Sequence, residues 1–264
     1  MRKLAILLSA AAAFGMTHAA SAADLGARVY HKAPPVPVYT WTGSYIGAYV
    51  GGAGSSSNSY TSNPVTGAGA FGVTTVPAGA SSVFDTGSGF IGGITSGYNY
   101  QFAPNWLIGY ESETGYQKIR GLSNYPGSAT GFAFSRSDDW YSSWTARFGY
   151  ISGQSLFYVK GGATLTRFEN FLSDSAGAQG GVLIGHEKKY RLGYAVGGGW
   201  EYALDPKWSI KAEYLYLGFG GSQNYNAFDT VGNTYNVSSK IEGIHTGKIG
   251  VNYKWDPLSL IFSR

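Results

Sequence analysis

Arg191-Leu192-Gly193-Tyr194-Ala195-Val196-Gly197-Gly198-Gly199-Trp200-Glu201-Tyr202-Ala203 is followed by Leu204-Asp205-Pro206-Lys207 and then by Trp208-Ser209-Ile210-Lys211-Ala212-Glu213-Tyr214-Leu215-Tyr216-Leu217. Asp205-Pro206 is turn chemistry, and each arm keeps a two-residue period beside it, so the stretch predicts a β-hairpin. In the second arm Trp208, Ile210, Ala212, Tyr214 and Tyr216 share one face, while Ser209, Lys211 and Glu213 share the other. In the first arm Leu192, Tyr194, Val196, Trp200 and Tyr202 oppose Gly193, Ala195, Gly197, Gly199 and Glu201. The charges therefore travel with glycine, alanine and serine, which fit a crowded concave interior. A water-soluble barrel points its bulky apolar residues inward; here the pattern is inverted. An apolar, aromatic outer face around a polar interior suits a barrel bathed in lipid, where every backbone group must be paired and only a helix or a closed barrel can span.

Composition points the same way. Of 264 residues only 13% are charged, whereas 16% are aromatic and 40 are glycine, too few charges to cover an ordinary soluble surface. Mean hydropathy is -0.11, the value expected of strands whose two faces average out. No run of 18 apolar residues exists, so a transmembrane helix is not expected. Leu4 to Phe14 is apolar, follows Arg2-Lys3 and leads to Ala20-Ser21-Ala22, the pattern of a secretory signal peptide over 1–22. Loss of Arg2 and Lys3 with that segment takes the net charge from +4 to +2. No dense basic cluster supports nucleic-acid binding. The absence of cysteine excludes disulfide and thiolate chemistry.

Residues 23–40 carry His31-Lys32-Ala33-Pro34-Pro35-Val36-Pro37-Val38, which prolines bias to polyproline II. This periplasmic linker of 18 residues spans on the order of 50 Å at ~3.1 Å per residue. The barrel is expected over 41–255, with a C-terminal extension over 256–264. Its strands fall near Trp41–Gly52, Ser88–Gln101, from Trp106 past Tyr116, Trp140–Tyr150, Phe157–Leu165, the two arms of the hairpin, and Ile241–Trp255. Long loops are expected at Ser55–Gly87, Gly121–Asp138, Glu169–Lys189 and Gly218–Ser239, and short turns at Ala103-Pro104-Asn105, Ser152-Gly153-Gln154 and Asp205-Pro206. The sum is an all-β chain, an eight-stranded antiparallel up-and-down transmembrane β-barrel with both termini on the periplasmic side. Tyr98, Tyr100, Trp106, Phe148, Tyr150, Phe157, Trp200, Tyr202, Trp208, Tyr253 and Trp255 all lie beside the short turns. They predict a periplasmic aromatic girdle, although aromatics favour strands in general.

Several segments resemble the alphaproteobacterial outer-membrane immunogenic proteins, small surface antigens with an OmpA-like eight-stranded barrel. They are Trp41-Thr42-Gly43-Ser44-Tyr45-Ile46-Gly47, Gly92-Gly93 with Gly97-Tyr98-Asn99, Ala146-Arg147-Phe148-Gly149-Tyr150, Tyr158-Val159-Lys160-Gly161-Gly162-Ala163, Gly197-Gly198-Gly199-Trp200-Glu201-Tyr202-Ala203, Lys211-Ala212-Glu213-Tyr214-Leu215-Tyr216 and Gly250-Val251-Asn252-Tyr253-Lys254-Trp255. The resemblance implies an outer-membrane location, contact with outer-membrane lipid and lipopolysaccharide, and recognition by the barrel-assembly machinery. Members usually end on the aromatic of the last strand, whereas here residues 256–264 follow Trp255. Either the assembly signal works internally or Phe262 supplies the aromatic.

The inward charges are Glu111, Glu113, Arg147, Lys160, Glu201, Lys211, Glu213 and Lys248, four acids and four bases. An eight-stranded barrel is just wide enough for its side chains to fill it, so these groups are expected to pair across the lumen as a plug. The alternative is a small pore, as the porin-family name carried by such sequences implies. The resemblance also implies a haemin-receptor alternative, for which His186, Tyr190 and His245 are the candidate contacts, and possible attachment of a mature Ala23-Asp24 terminus to peptidoglycan. Ser173, Asp174 and His186 fall in one loop with nothing to fix their geometry, so no catalytic residues, metal or cofactor are expected.

Overall fold

The computed structural model describes residues 39–55, 58–64, 81–84, 87–124, 131–174, 183–230 and 234–255. The signal segment, the linker up to Val38, Ala23, Asp24 and the extension 256–264 lie outside them. Twelve strands are described: β1 (Gly43–Ser55), β2 (Asn58–Pro64), β3 (Ser81–Phe84), β4 (Ser88–Ala103), β5 (Trp106–Asn124), β6 (Gly131–Ser152), β7 (Ser155–Asp174), β8 (Leu183–Ala203), β9 (Trp208–Gly218), β10 (Ser222–Asp229), β11 (Thr234–Ile241) and β12 (Gly243–Trp255). Eight of them close a ring in the order β1-β4-β5-β6-β7-β8-β9-β12, every neighbour antiparallel, with β12 returning to β1. Ring closure leaves no open edge at membrane height, which is the condition for a sheet to survive in lipid.

Local chemistry fixes the register at the short-turn end. Gly153 has φ of 60° at the first loop position between Ser152 and Ser155, the conformation that a two-residue type II′ hairpin requires. Asp205 Oδ1 accepts from the backbone N–H groups of Lys207 at 2.7 Å and Trp208 at 2.8 Å, closing the β8–β9 turn. Asn105 Nδ2 donates to Ile151 O at 2.9 Å, tying the β4–β5 turn to the neighbouring hairpin.

Exposure alternates along most of each ring strand. Ile46 and Val50 on β1, Ile94 on β4, Tyr110 on β5, Trp144 on β6, Val159 on β7, Leu192 on β8, Tyr214 on β9 and Ile249 on β12 all face outward and are exposed. Their outer surface is the lipid-facing band that the inverted pattern predicts, and it resolves β1, with Tyr45 and Tyr49 inside and Ile46 and Val50 outside.

The loops differ from expectation. Of the segment Gly121–Asp138, all but 125–130 lies in β5 and β6; of Glu169–Lys189, all but 175–182 lies in β7 and β8. Backbone pairing carries these strands beyond their clearest side-chain alternation, so β7 and β8 stay in register up to Asp174↔Leu183. The fourth loop is also built into the sheet. β10 pairs with β11 and with the upper end of β8, and β11 pairs with β2, which extends the barrel wall beyond Gly218.

Candidate functional site

The lumen is filled in three layers. Nearest the short turns, Trp41, Leu107, Ile151, Leu156, Tyr158 and Ala203 form an apolar cluster, with Tyr39 packed against it. Tyr39 and Trp41 meet edge to face at 4.8 Å between centroids, and the Trp41 backbone N–H donates to Gln101 Oε1 at 3.2 Å. The Lys254 ammonium donates to Thr40 O, so the chain entering β1 is held across this mouth.

The charged layer lies above. Lys160 Nζ is 2.6 Å from Glu111 Oε1, 2.7 Å from Glu113 Oε1 and 2.8 Å from Glu213 Oε2. Lys248 Nζ lies 2.7 Å from Glu113 Oε2 and 2.8 Å from Glu213 Oε1, the second contact being an ion pair without hydrogen-bond geometry. Lys211 Nζ lies 3.1 Å from Glu111 Oε2. Arg147 reaches Glu201 Oε2 at 2.9 Å with Nη2 and Glu111 Oε2 at 3.4 Å with Nη1. All eight side chains are buried. Carboxylate oxygens of Glu111, Glu113 and Glu213 lie within 4.8 Å of one another, close enough to share a cation. The Lys160 ammonium contacts all three and supplies that cation.

Neutral groups complete the layer. Tyr45 donates to Glu111 Oε2 at 2.9 Å and accepts from Arg147 Nη1 at 2.7 Å, while Tyr158 donates to Glu213 Oε2 at 2.9 Å. The Arg147 guanidinium also stacks 3.9 Å above the Tyr158 ring. Ser209 and Asn252 donate to Glu201 Oε1 at 2.5 and 2.7 Å. A buried charge is tolerated when partners of this kind satisfy its remaining lone pairs and protons.

A second apolar layer closes the other side. Tyr49, Ala53, Ile91, Ile119, Tyr141, Phe168, Ala195, Leu215, Leu217, Phe219, Ile241 and Ile244 form one buried cluster. Tyr49 and Tyr141 share a hydroxyl–hydroxyl bond of 2.5 Å, and the Lys248 ammonium lies 4.9 Å from the Tyr49 ring centroid. The interior is thus not polar along its length. Bulky apolar side chains stand in phase with the charges above and below them, where they exclude water from the ion pairs.

On the outside, Tyr98, Tyr100, Trp106, Phe148, Tyr150, Phe157, Trp200, Trp208 and Trp255 are exposed, and Tyr202 and Tyr253 half-exposed, along the short-turn ends of the strands. Trp106 packs at 5.1 Å on both Phe148 and Tyr150, and Trp208 at 4.9 Å on Tyr253. A second outward group, Phe90, Tyr116, Trp140, Tyr190, Tyr194 and Tyr214, lies toward the long-loop ends, with Tyr116 and Trp140 in edge contact at 6.3 Å.

No family model matches the chain. A 31 kDa outer-membrane immunogenic protein of Brucella melitensis biotype 1 is 30% identical over 263 residues, which cover 96% of this chain and 100% of that protein. The protein of the same description from Brucella suis biovar 1 matches equally. The chain belongs to the outer-membrane immunogenic protein family. Solved structures similar to it include Ail of Yersinia pestis, 14% identical with a TM-score of 0.37 over 81% of this chain and 99% of that one. OprG of Pseudomonas aeruginosa is 14% identical with a TM-score of 0.47 over 81% and 97%.

In this family member the three candidate haemin contacts are not brought together. His245 faces outward on β12, accepting or donating at Nδ1 with the Tyr214 hydroxyl at 2.6 Å and packing 4.9 Å from the Tyr216 ring. His186 and Tyr190 lie on the outward face of β8, well above the row in which His245 opposes Tyr216 and Tyr216 opposes Val196. His186 Nε2 meets Glu169 Oε1 at 2.9 Å rather than Ser173, whose register partner is Ile184. Tyr45, Tyr158, Ser209 and Asn252 were not singled out from sequence as lumen partners. For Tyr158, Ser209 and Asn252 the signal is positional, since each alternates in phase with a charged residue of its own strand, whereas β1 carries no charge to mark Tyr45 in this way.

Proposed function

We propose that this family member is a closed structural barrel of the outer membrane, serving envelope integrity and display of its long-loop end as a surface antigen. The observation that carries this reading is the paired charge layer between two apolar layers, whose described side chains are buried and fill the interior. The immunogenic relatives from Brucella support the display half of it. An epitope inserted within 175–182 tests that half: antibody should label intact cells, and labelling only after the outer membrane is breached would contradict it.

The tether is a narrower proposal resting on the same orientation. Residues 39–41 enter the barrel at the short-turn mouth, the side on which a peptidoglycan-linked Ala23-Asp24 segment belongs. A muropeptide digest carrying the peptide Ala23–Lys32 is the expected result, and its absence would reduce that segment to a lead-in. The barrel-assembly machinery is the proposed folding partner, with Trp255 as the aromatic it reads.

A further inference from the structure

Above the outer aromatic group, β6, β7 and β8 turn a set of charged side chains outward. Arg136 bonds Glu169 through Nε at 2.8 Å and Nη2 at 2.7 Å, and the same carboxylate is approached by His186 at 2.9 Å and Lys188 at 3.4 Å. Arg167 pairs with Asp139 and lies 5.6 Å from the centroid of the Tyr190 ring. A hollow of about 100 Å³ opens among Arg136, Asp139, Arg167, Glu169 and Lys188. Among the described residues lining it, three permanent cations face two carboxylates, before His186 is counted.

The height of the cluster decides what kind of anion reaches it. Lys118 is the next outward position beyond Tyr116 on β5, and Lys188 the next beyond Tyr190 on β8. Tyrosine and tryptophan settle at the membrane interface, so the cations one step further out meet the headgroup layer. Arginine there offers a planar fork suited to phosphate oxygens.

We propose that the hollow between Arg136, Arg167 and Lys188 binds a phosphate group of the outer leaflet's phosphorylated glycolipid, fixing one lipid to the β6–β8 face. This assignment rests on the membrane orientation given under the proposed function. That orientation has its own readout in the surface labelling of 175–182, so failure of the lipid site is distinguishable from failure of the orientation.

The test is native mass spectrometry of the chain purified from outer membranes, stripped in neutral detergent and then offered lipid A with or without its phosphates. The expected result is retention of the phosphorylated form at least about tenfold better than the dephosphorylated one. The triple variant Arg136→Gln, Arg167→Gln, Lys188→Gln should lose that preference, while Lys240→Gln on β11, outside the hollow, keeps it. Should the triple variant fail to fold, the two lipids on the native chain still decide the matter. Equal retention of both lipids, an unchanged triple variant, or full displacement by millimolar inorganic phosphate would each overturn the lipid assignment.

Discussion

Lys160 and Glu111, on β7 and β5, form an ion pair of 2.6 Å in the centre of the barrel, and neither side chain is exposed. The same ammonium touches Glu113 and Glu213, so one cation neutralises much of a three-carboxylate cluster. Removing it leaves the carboxylates to Lys248, Lys211 and Arg147, one buried cation short of full pairing. Lys160→Met should lower stability in urea by ~3 to 5 kcal/mol, the range for breaking a buried pair from one side. Adding Glu111→Gln should recover part of that loss. A single variant as stable as the native chain would mean that water reaches the layer.

Gly199 shows how tightly the wall is drawn over this network. A Cβ at that position would stand 2.5 Å from Ala212 O and 2.7 Å from the Tyr158 hydroxyl, which donates to Glu213. Gly199→Ala should therefore shift Tyr158 and cost about 1 to 3 kcal/mol, as overpacking does. Folded yield and urea midpoint would report it. In a Tyr158→Phe background the penalty should shrink without vanishing, because the clash with the backbone carbonyl remains.

Trp41 closes the mouth below the charges, buried among Leu107, Ile151 and Leu156. Trp41→Ala should destabilise the barrel by about 3 to 5 kcal/mol through cavity formation. It should also admit water to the lower side of the charge layer, read as faster amide exchange at Arg147 and Lys160. Unchanged exchange would show that Tyr39 and its neighbours suffice as a cap.

Glu169 lies beyond the outer aromatic group, opposite Lys188, and is the acid around which Arg136, His186 and Lys188 gather. Partial burial pushes its carboxyl up, but hydrogen bonds from Arg136 and His186 outweigh this and hold it below the ordinary value of 4.5. A depressed carboxyl contributes stability that is full above the unfolded value and fades as pH falls through the folded one. The upper ends of β6 to β8 should therefore resist proteolysis equally at pH 7 and pH 6 and loosen only below about pH 4.5. Glu169→Gln should remove the acid step, and solvent screening keeps the effect small.

The ring was legible in the sequence because Trp208, Ile210, Ala212 and Tyr214 alternate with Ser209, Lys211 and Glu213, and a period of two assigns each face without tertiary information. The eight lumen charges were legible for the same reason. Two features were not. Leu107 and Leu156 occupy the inward phase beside charged positions, but only the closed ring shows that they stack with Trp41 into a cap. The Arg136–Glu169 cluster depends on an irregularity in the β6–β7 register between Arg136 and Tyr141, which alternation does not reveal. Pairing of β11 with β2 joins segments far apart in sequence, and their polar composition marks neither as a strand.

Single-channel recording in planar bilayers tests the sealed lumen most directly, using the native barrel beside Lys211→Met with Glu213→Met, and heat-modifiable migration to show that each has folded. Three stacked layers predict silence from the native barrel. Steady openings from it, with an ion selectivity that changes in the variant, would show that the charge layer lines a conducting path and would contradict the account.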